Sequence, residues 1–210
     1  MWLGVLVGTL GVAGCTAGSA TEAPTTPARS STTSTPATPE PSPTLPSAPT
    51  SSAAPTSGPD QDVTKSPARP EALDGPATED NAIAVAKYFT ALYTYIVATG
   101  DFTEWDALSG PECRFCANGR ESARDLHSAG NHGTGGAVDI GFGSAAAQDD
   151  GTFVASVQFT EYPSQTVDAT GAIVEDFPET NRLMATMLLS RTASGWKVNG
   201  VQIDEFGQSE

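Results

Sequence analysis

Positive charge is scarce in this chain: 10 Lys and Arg stand against 25 Asp and Glu, a net −15 at pH 7 with a sequence pI near 4.3. A surface so acidic repels nucleic-acid phosphates and anionic headgroups, so neither is expected as a partner of the folded part. Cysteine is scarcer still, at three residues: Cys15, Cys113 and Cys116. Residues 16–75 have no aromatic side chain and hold 12 of the 16 prolines. Such a stretch cannot bury enough apolar surface to offset chain entropy, which excludes a packed core there. The N-terminal apolar run, Trp2 to Leu10, falls well short of the roughly 20 residues that span a bilayer as a helix.

What is there has three parts. The apolar run ends in small residues, as the hydrophobic segment of an export signal does before its cleavage site. No Lys or Arg precedes it, although such signals carry a positive start, and the expectation is a translation start upstream of Met1. Val12-Ala13-Gly14-Cys15 resembles the bacterial lipobox. That resemblance implies cleavage before Cys15 and lipidation of its thiol. The expected organisation is a signal over 1–14, Cys15 with a disordered Pro/Ser/Thr tether over 15–75, and a domain over 76–210. As flexible coil the tether reaches about 40–45 Å, and further where proline stiffens it. Its Ser/Thr/Pro composition fits a bare spacer or an O-glycosylated stalk.

In the third part Thr78-Glu79-Asp80 opens a helix with a hydroxyl cap and acids in the first turn. Ala82, Ala86, Phe89, Leu92, Tyr93 and Ile96 then recur at helical spacing, and Gly100 is the stop. A short helix is expected over 103–108. A third is expected over about 112–127, with Phe115, Gly119, Ala123 and Leu126 inward. The period then drops to two. Val138, Ile140 and Phe142 form one inward series, and Phe153, Ala155, Val157 and Phe159 a second. A weaker strand or pair of strands is expected around 166–177, broken near Gly171. Leu183, Ala185, Met187 and Leu189 follow, then Trp196, Val198, Val201 and Ile203 with a bulge at Gly200. Helices first and antiparallel strands afterwards make an α+β domain.

This order, ending in Gly195-Trp196-Lys197-Val198, resembles the nuclear transport factor 2-like (SnoaL-like) cone, N-terminal helices packed on a curved, mostly antiparallel sheet. With Cys15, the tether, Thr99-Gly100-Asp101 and Cys113-Arg114-Phe115-Cys116, the chain is similar to actinobacterial lipoproteins of unknown function. That family carries over no activity and no catalytic residue.

With Cys15 lipidated, Cys113 and Cys116 remain as a pair, and in an exported protein a disulfide is the expectation. Two alternatives stand beside it. A CxxC at a helix start can be a redox centre, but the strand-then-helix setting of such centres is missing. Cys113-x2-Cys116-x10-His127-x4-His132 approaches zinc-finger spacing, but without the preceding strands and on an acidic domain. His127 and His132 otherwise flank glycine-rich sequence, Gly130 to Gly136, with the composition of an exposed loop, and no helix follows to make it a phosphate cradle. An enzyme of the cone fold would recruit residues such as Tyr88, Tyr93, Trp105, Asp139 or Arg182. Each is explained more simply as a core, rim or surface residue. No catalytic residue, metal ligand or cofactor is assigned. The expected role is a lipid-anchored domain on the extracytoplasmic side of the cell membrane that binds an envelope ligand or protein. A small pocket enzyme is the alternative, and a thiol-disulfide protein a more distant one.

Overall fold

The computed structural model describes residues 58–206. Cys15, the expected signal and most of the expected tether lie outside the described residues. Helix α1 (Glu79–Thr99) starts and stops where its caps require. The Thr78 hydroxyl accepts from the Asn81 amide at 3.3 Å, Glu79 and Asp80 fill the first turn, and Gly100 closes the helix at φ 69° with its N–H on Ile96 O. Its buried stripe, Ala82, Val85, Ala86, Phe89, Leu92 and Ile96, lies against the sheet. Helix α2 (Thr103–Leu108) buries Trp105 and Leu108, and α3 (Arg114–Ser128) buries Cys116, Gly119 and Ala123.

Seven strands follow: β1 (His132–Gly135), β2 (Val138–Ala147), β3 (Thr152–Glu161), β4 (Ser164–Val167), β5 (Ile173–Phe177), β6 (Asn181–Thr192) and β7 (Gly195–Glu205). They form two antiparallel sheets, one ordered β2-β3-β6-β7 and a smaller one ordered β1-β4-β5. The larger sheet carries the inner face expected of β3 and β6: Phe153, Ala155 and Val157, with Ala185, Met187 and Leu189. In β7 the register shifts between the Leu189–Val198 and Leu188–Gly200 pairs. Trp196 and Val198 therefore point inward before the shift, and Val201 packs on the core after it.

Four expectations need correction. Phe142 does not point inward; it is 68% exposed. Ile140 pairs with Phe159 but Gly143 with Val157, so two residues, Gly141 and Phe142, face Gln158 alone. The inner face of β2 switches from Val138 and Ile140 to Gly143 and Ala145, and Phe142 is turned outward. The glycine-rich stretch after α3 is not a loop throughout. Residues 132–135 pair with β4, and Gly133 lies so close to α1 that a Cβ there would sit 2.6 Å from Val97 Cγ1. His127 and His132 are half-buried rather than exposed, and His127 Nε2 lies 3.1 Å from Val97 O. Finally, the packed region begins upstream of residue 76. Val63, Ala72 and Leu73 are buried, and a 3-10 turn at Glu71–Leu73 offers Ala72 O to Trp196 Nε1 at 3.0 Å. Arg191 Nε donates to Gly75 O at 3.1 Å. This end of the expected tether supplies Val63, Ala72 and Leu73 to the packed region.

Four turns share one device. In Asp62-Val63-Thr64, Asp101-Phe102-Thr103, Asp150-Gly151-Thr152 and Asp168-Ala169-Thr170, one carboxylate oxygen accepts from both the amide and the hydroxyl of the threonine two residues on. The threonine hydroxyl is the leading reason that each of these carboxyls lies below its usual range.

Candidate functional site

Between the three helices and the larger sheet lies a cavity of about 230 Å³. Its roof is Phe89, Thr90, Tyr93 and Thr94 of α1, Trp105 of α2 and Phe115 of α3. Its floor is Val138 of β2, Phe159 and Glu161 of β3, Leu183, Ala185 and Met187 of β6, and Val201 and Ile203 of β7. A void of about 150 Å³ holds a benzene-sized guest, and drug-sized pockets begin near 300 Å³. The space therefore suits one ring or a short chain.

The roof is an aromatic cluster. Trp105 is fully buried and stacks on Phe89 at 4.3 Å between ring centroids, with Tyr93 at 5.9 Å and Phe115 at 6.4 Å. Its Nε1–H donates to Cys116 O at 3.0 Å, so the indole has no polar atom left for a ligand. Gly119 makes room for it, since a Cβ there would meet Trp105 and Tyr93 at 3.2 Å.

The polar groups of the lining are few. Thr90 and Thr94 turn their hydroxyls onto carbonyls of their own helix, Ala86 O and Ala91 O. That leaves the Tyr93 hydroxyl and the Glu161 carboxylate. Burial raises the Tyr93 hydroxyl above its ordinary value, and the charge of Glu161, which lines the same space, adds to the effect. The one hydrogen bond to the Glu161 carboxylate among the described residues comes from Asn181 Nδ2, at 3.4 Å. No hydrogen bond joins it to Tyr93. Glu161 also lines two adjoining spaces. One, of about 290 Å³, includes Asp176, Phe177 and Glu179; a smaller one lies under β1 and β4 beside Val97 and Thr166.

Of the residues recruited on paper from the sequence, Tyr93 and Trp105 meet in this cavity. Tyr88 does not line it. Its hydroxyl lies 3.5 Å from Glu104 Oε2, and burial with that neighbouring charge pushes its pKa up to about 12. Asp139 and Arg182 are also outside the lining. Arg182 is exposed and shares its strand face with Met184 and Leu188, opposite Leu183 and Ala185. Glu161 escaped the sequence reading, yet a signal existed. The series Phe153, Ala155, Val157, Phe159 continues with the same parity to Glu161, so the fifth inward position of β3 is a carboxylate.

Cys113 and Cys116 are joined as a disulfide with Cα atoms 5.2 Å apart, and the residues are 2% and 1% exposed. Cys113 Sγ also caps α3, accepting from the Cys116 amide at 3.2 Å. The zinc-finger pattern thus loses its two sulfur ligands to each other. The redox alternative needs an accessible sulfur, and neither residue offers one. Among the described residues no group of three or more His, Cys, Asp and Glu is placed to hold a metal ion.

No curated protein matches this chain. Among solved structures, the intermembrane space region of the chloroplast protein ARC6 superposes with a TM-score of 0.46 at 11% identity, over 62% of this chain and 99% of its own. Aln2 from a Streptomyces species gives 0.38 at 16% identity, over 61% and 92%. ActVI-ORFA from Streptomyces coelicolor gives 0.37 at 14%, over 60% and 96%. Residues 49–202, nearly all of the described region, match one family, and the chain accordingly belongs to the family of unknown function DUF6318.

Proposed function

We propose that this protein is a non-catalytic binding module of nuclear transport factor 2-like form, tethered outside the cell membrane through a lipid on Cys15, and that the cavity under its helices receives a small, mostly apolar ligand. One observation carries the binding role: an apolar space of about 230 Å³ with two open polar groups, Tyr93 and Glu161, at one side. Fixed orientation by a few polar groups inside apolar walls is what ligand pockets require. Proton-transfer chemistry would need an acid and a base in hydrogen-bond reach of one another or of one reacting atom. The cavity's titratable pair is instead one raised tyrosine and one carboxylate held by an amide.

The binding role is tested with 2-phenylethanol, followed by NMR of the purified protein. Shifts should appear at Tyr93, Phe159 and Leu183, saturating at about millimolar concentration, as expected for so small a guest. Ile203→Trp, a partly exposed rim position, should fill the space and remove the shifts while circular dichroism stays unchanged. Silence at the cavity residues up to roughly 10 mM would refute the binding role.

The anchor is tested separately. Cys15→Ala should move the protein from the detergent-extracted membrane fraction to the soluble extracytoplasmic fraction. An unaltered distribution would overturn lipid tethering.

A further inference from the structure

Resting on the binding role just proposed, we infer that the cavity's ligand class is a small primary amine, its ammonium group seated at Glu161 and its apolar body, one ring or a short chain, inside the pocket.

The inference starts from an imbalance. Glu161 is the one charged side chain in a mostly apolar lining. A carboxylate at the edge of an apolar space is costly unless a cation or several donors compensate it. Its protein partner is a single amide at 3.4 Å. Among the described residues no Lys, Arg or His nitrogen lies within 4.0 Å of it. Its partner across the ladder is the neutral Asn181, and Arg182, the next residue, is exposed on the opposite face of β6.

A ligand ammonium supplies what the protein omits. It has three donors and a positive charge, and it is smaller than a guanidinium. The surrounding walls suit it as well. Tyr93, Phe115 and Phe159 are ring faces to which a cation is attracted, and the hydroxyl of Tyr93 can accept a further hydrogen bond. An anionic ligand meets the reverse. It would meet the charge of Glu161, and the space adjoining Glu161 also presents Asp176 and Glu179.

The test uses three molecules of nearly equal shape that differ in the head group: 2-phenylethylammonium, 2-phenylethanol and phenylacetate. Each is titrated calorimetrically and by NMR at low salt into the purified protein and into Glu161→Gln. The amine should bind about tenfold more tightly than the alcohol, and phenylacetate most weakly. In Glu161→Gln the preference should vanish, the variant binding amine and alcohol alike. The preference should also shrink as salt is added. Equal binding of amine and alcohol, or an amine preference that survives Glu161→Gln, overturns this inference and leaves the apolar pocket standing. If none of the three perturbs the cavity residues, the binding role itself falls.

Discussion

Trp105→Ala is expected to destabilise the folded domain by about 3–5 kcal/mol, the range for removing a fully buried tryptophan. The side chain has no exposed surface, stacks on Phe89 and touches both Tyr93 and Phe115 through the aromatic cluster. Its loss also strips the Cys116 carbonyl of the indole donor that reaches it at 3.0 Å, in a site where water does not easily take its place. Helix α2 is only six residues long, below the length at which a helix holds itself, so its position depends on this anchor. Urea unfolding should show a lowered midpoint, and the melting temperature should drop by about 10 °C. Trp105→Phe, which keeps the stacking but not the donor, should lose clearly less. A cost below about 1 kcal/mol for the alanine variant would contradict the packing described.

Gly135→Ala should cost about 2–4 kcal/mol, a large effect for a single methyl group. Two penalties coincide there. The backbone sits at φ +69°, where a Cβ is strained by about 1–2 kcal/mol. The added carbon would also lie 2.6 Å from Pro163 O, a backbone atom with no side-chain freedom to retreat. The same carbonyl accepts from the Gly136 amide at 2.9 Å, so a displacement would open the junction between β1 and β4. Gly130→Ala separates the two penalties, because Gly130 is also left-handed, at φ +81°, but has nothing within 4 Å of its would-be Cβ. It should cost only the conformational part. Hydrogen exchange should locate the loosening in Gly135→Ala at β1 and β4; equal costs for the two variants would show that the contact with Pro163 does not matter.

The parts of this fold that were legible in the sequence are those in which one physical signal dominates. Thr78 and Gly100 mark the ends of α1 by capping chemistry, and β3, β6 and β7 announce themselves by alternation, down to the bulge at Gly200. The illegible parts had competing or silent signals. β1 is glycine-rich and carries no hydrophobic period; Gly133 pairs in the sheet because the missing side chain allows Val97 to approach. Phe142 reads as core by parity and is turned out by an irregularity that only the register with β3 reveals. The carboxylate of Glu161 stood in plain alternation with Phe159, but a charged residue ending an apolar series reads first as the end of the strand. The pairing of Cys113 and Cys116 was legible from their closeness in sequence, three residues apart.

The two irregularities, at Gly141 and Phe142 in β2 and at Asn199 and Gly200 in β7, sit on the two outer strands of one sheet. Each inserts a residue that makes no pair of its own and exchanges inside for outside beyond it. In these strands the number of residues is therefore as binding as their identity. Losing the unpaired residue would straighten the ladder locally and turn every later side chain inside out, sending Val201 of β7, or Gly143 and Ala145 of β2, toward solvent. Natural variation in this domain should accordingly exchange letters freely at the two supernumerary positions, while insertions and deletions collect in the turns.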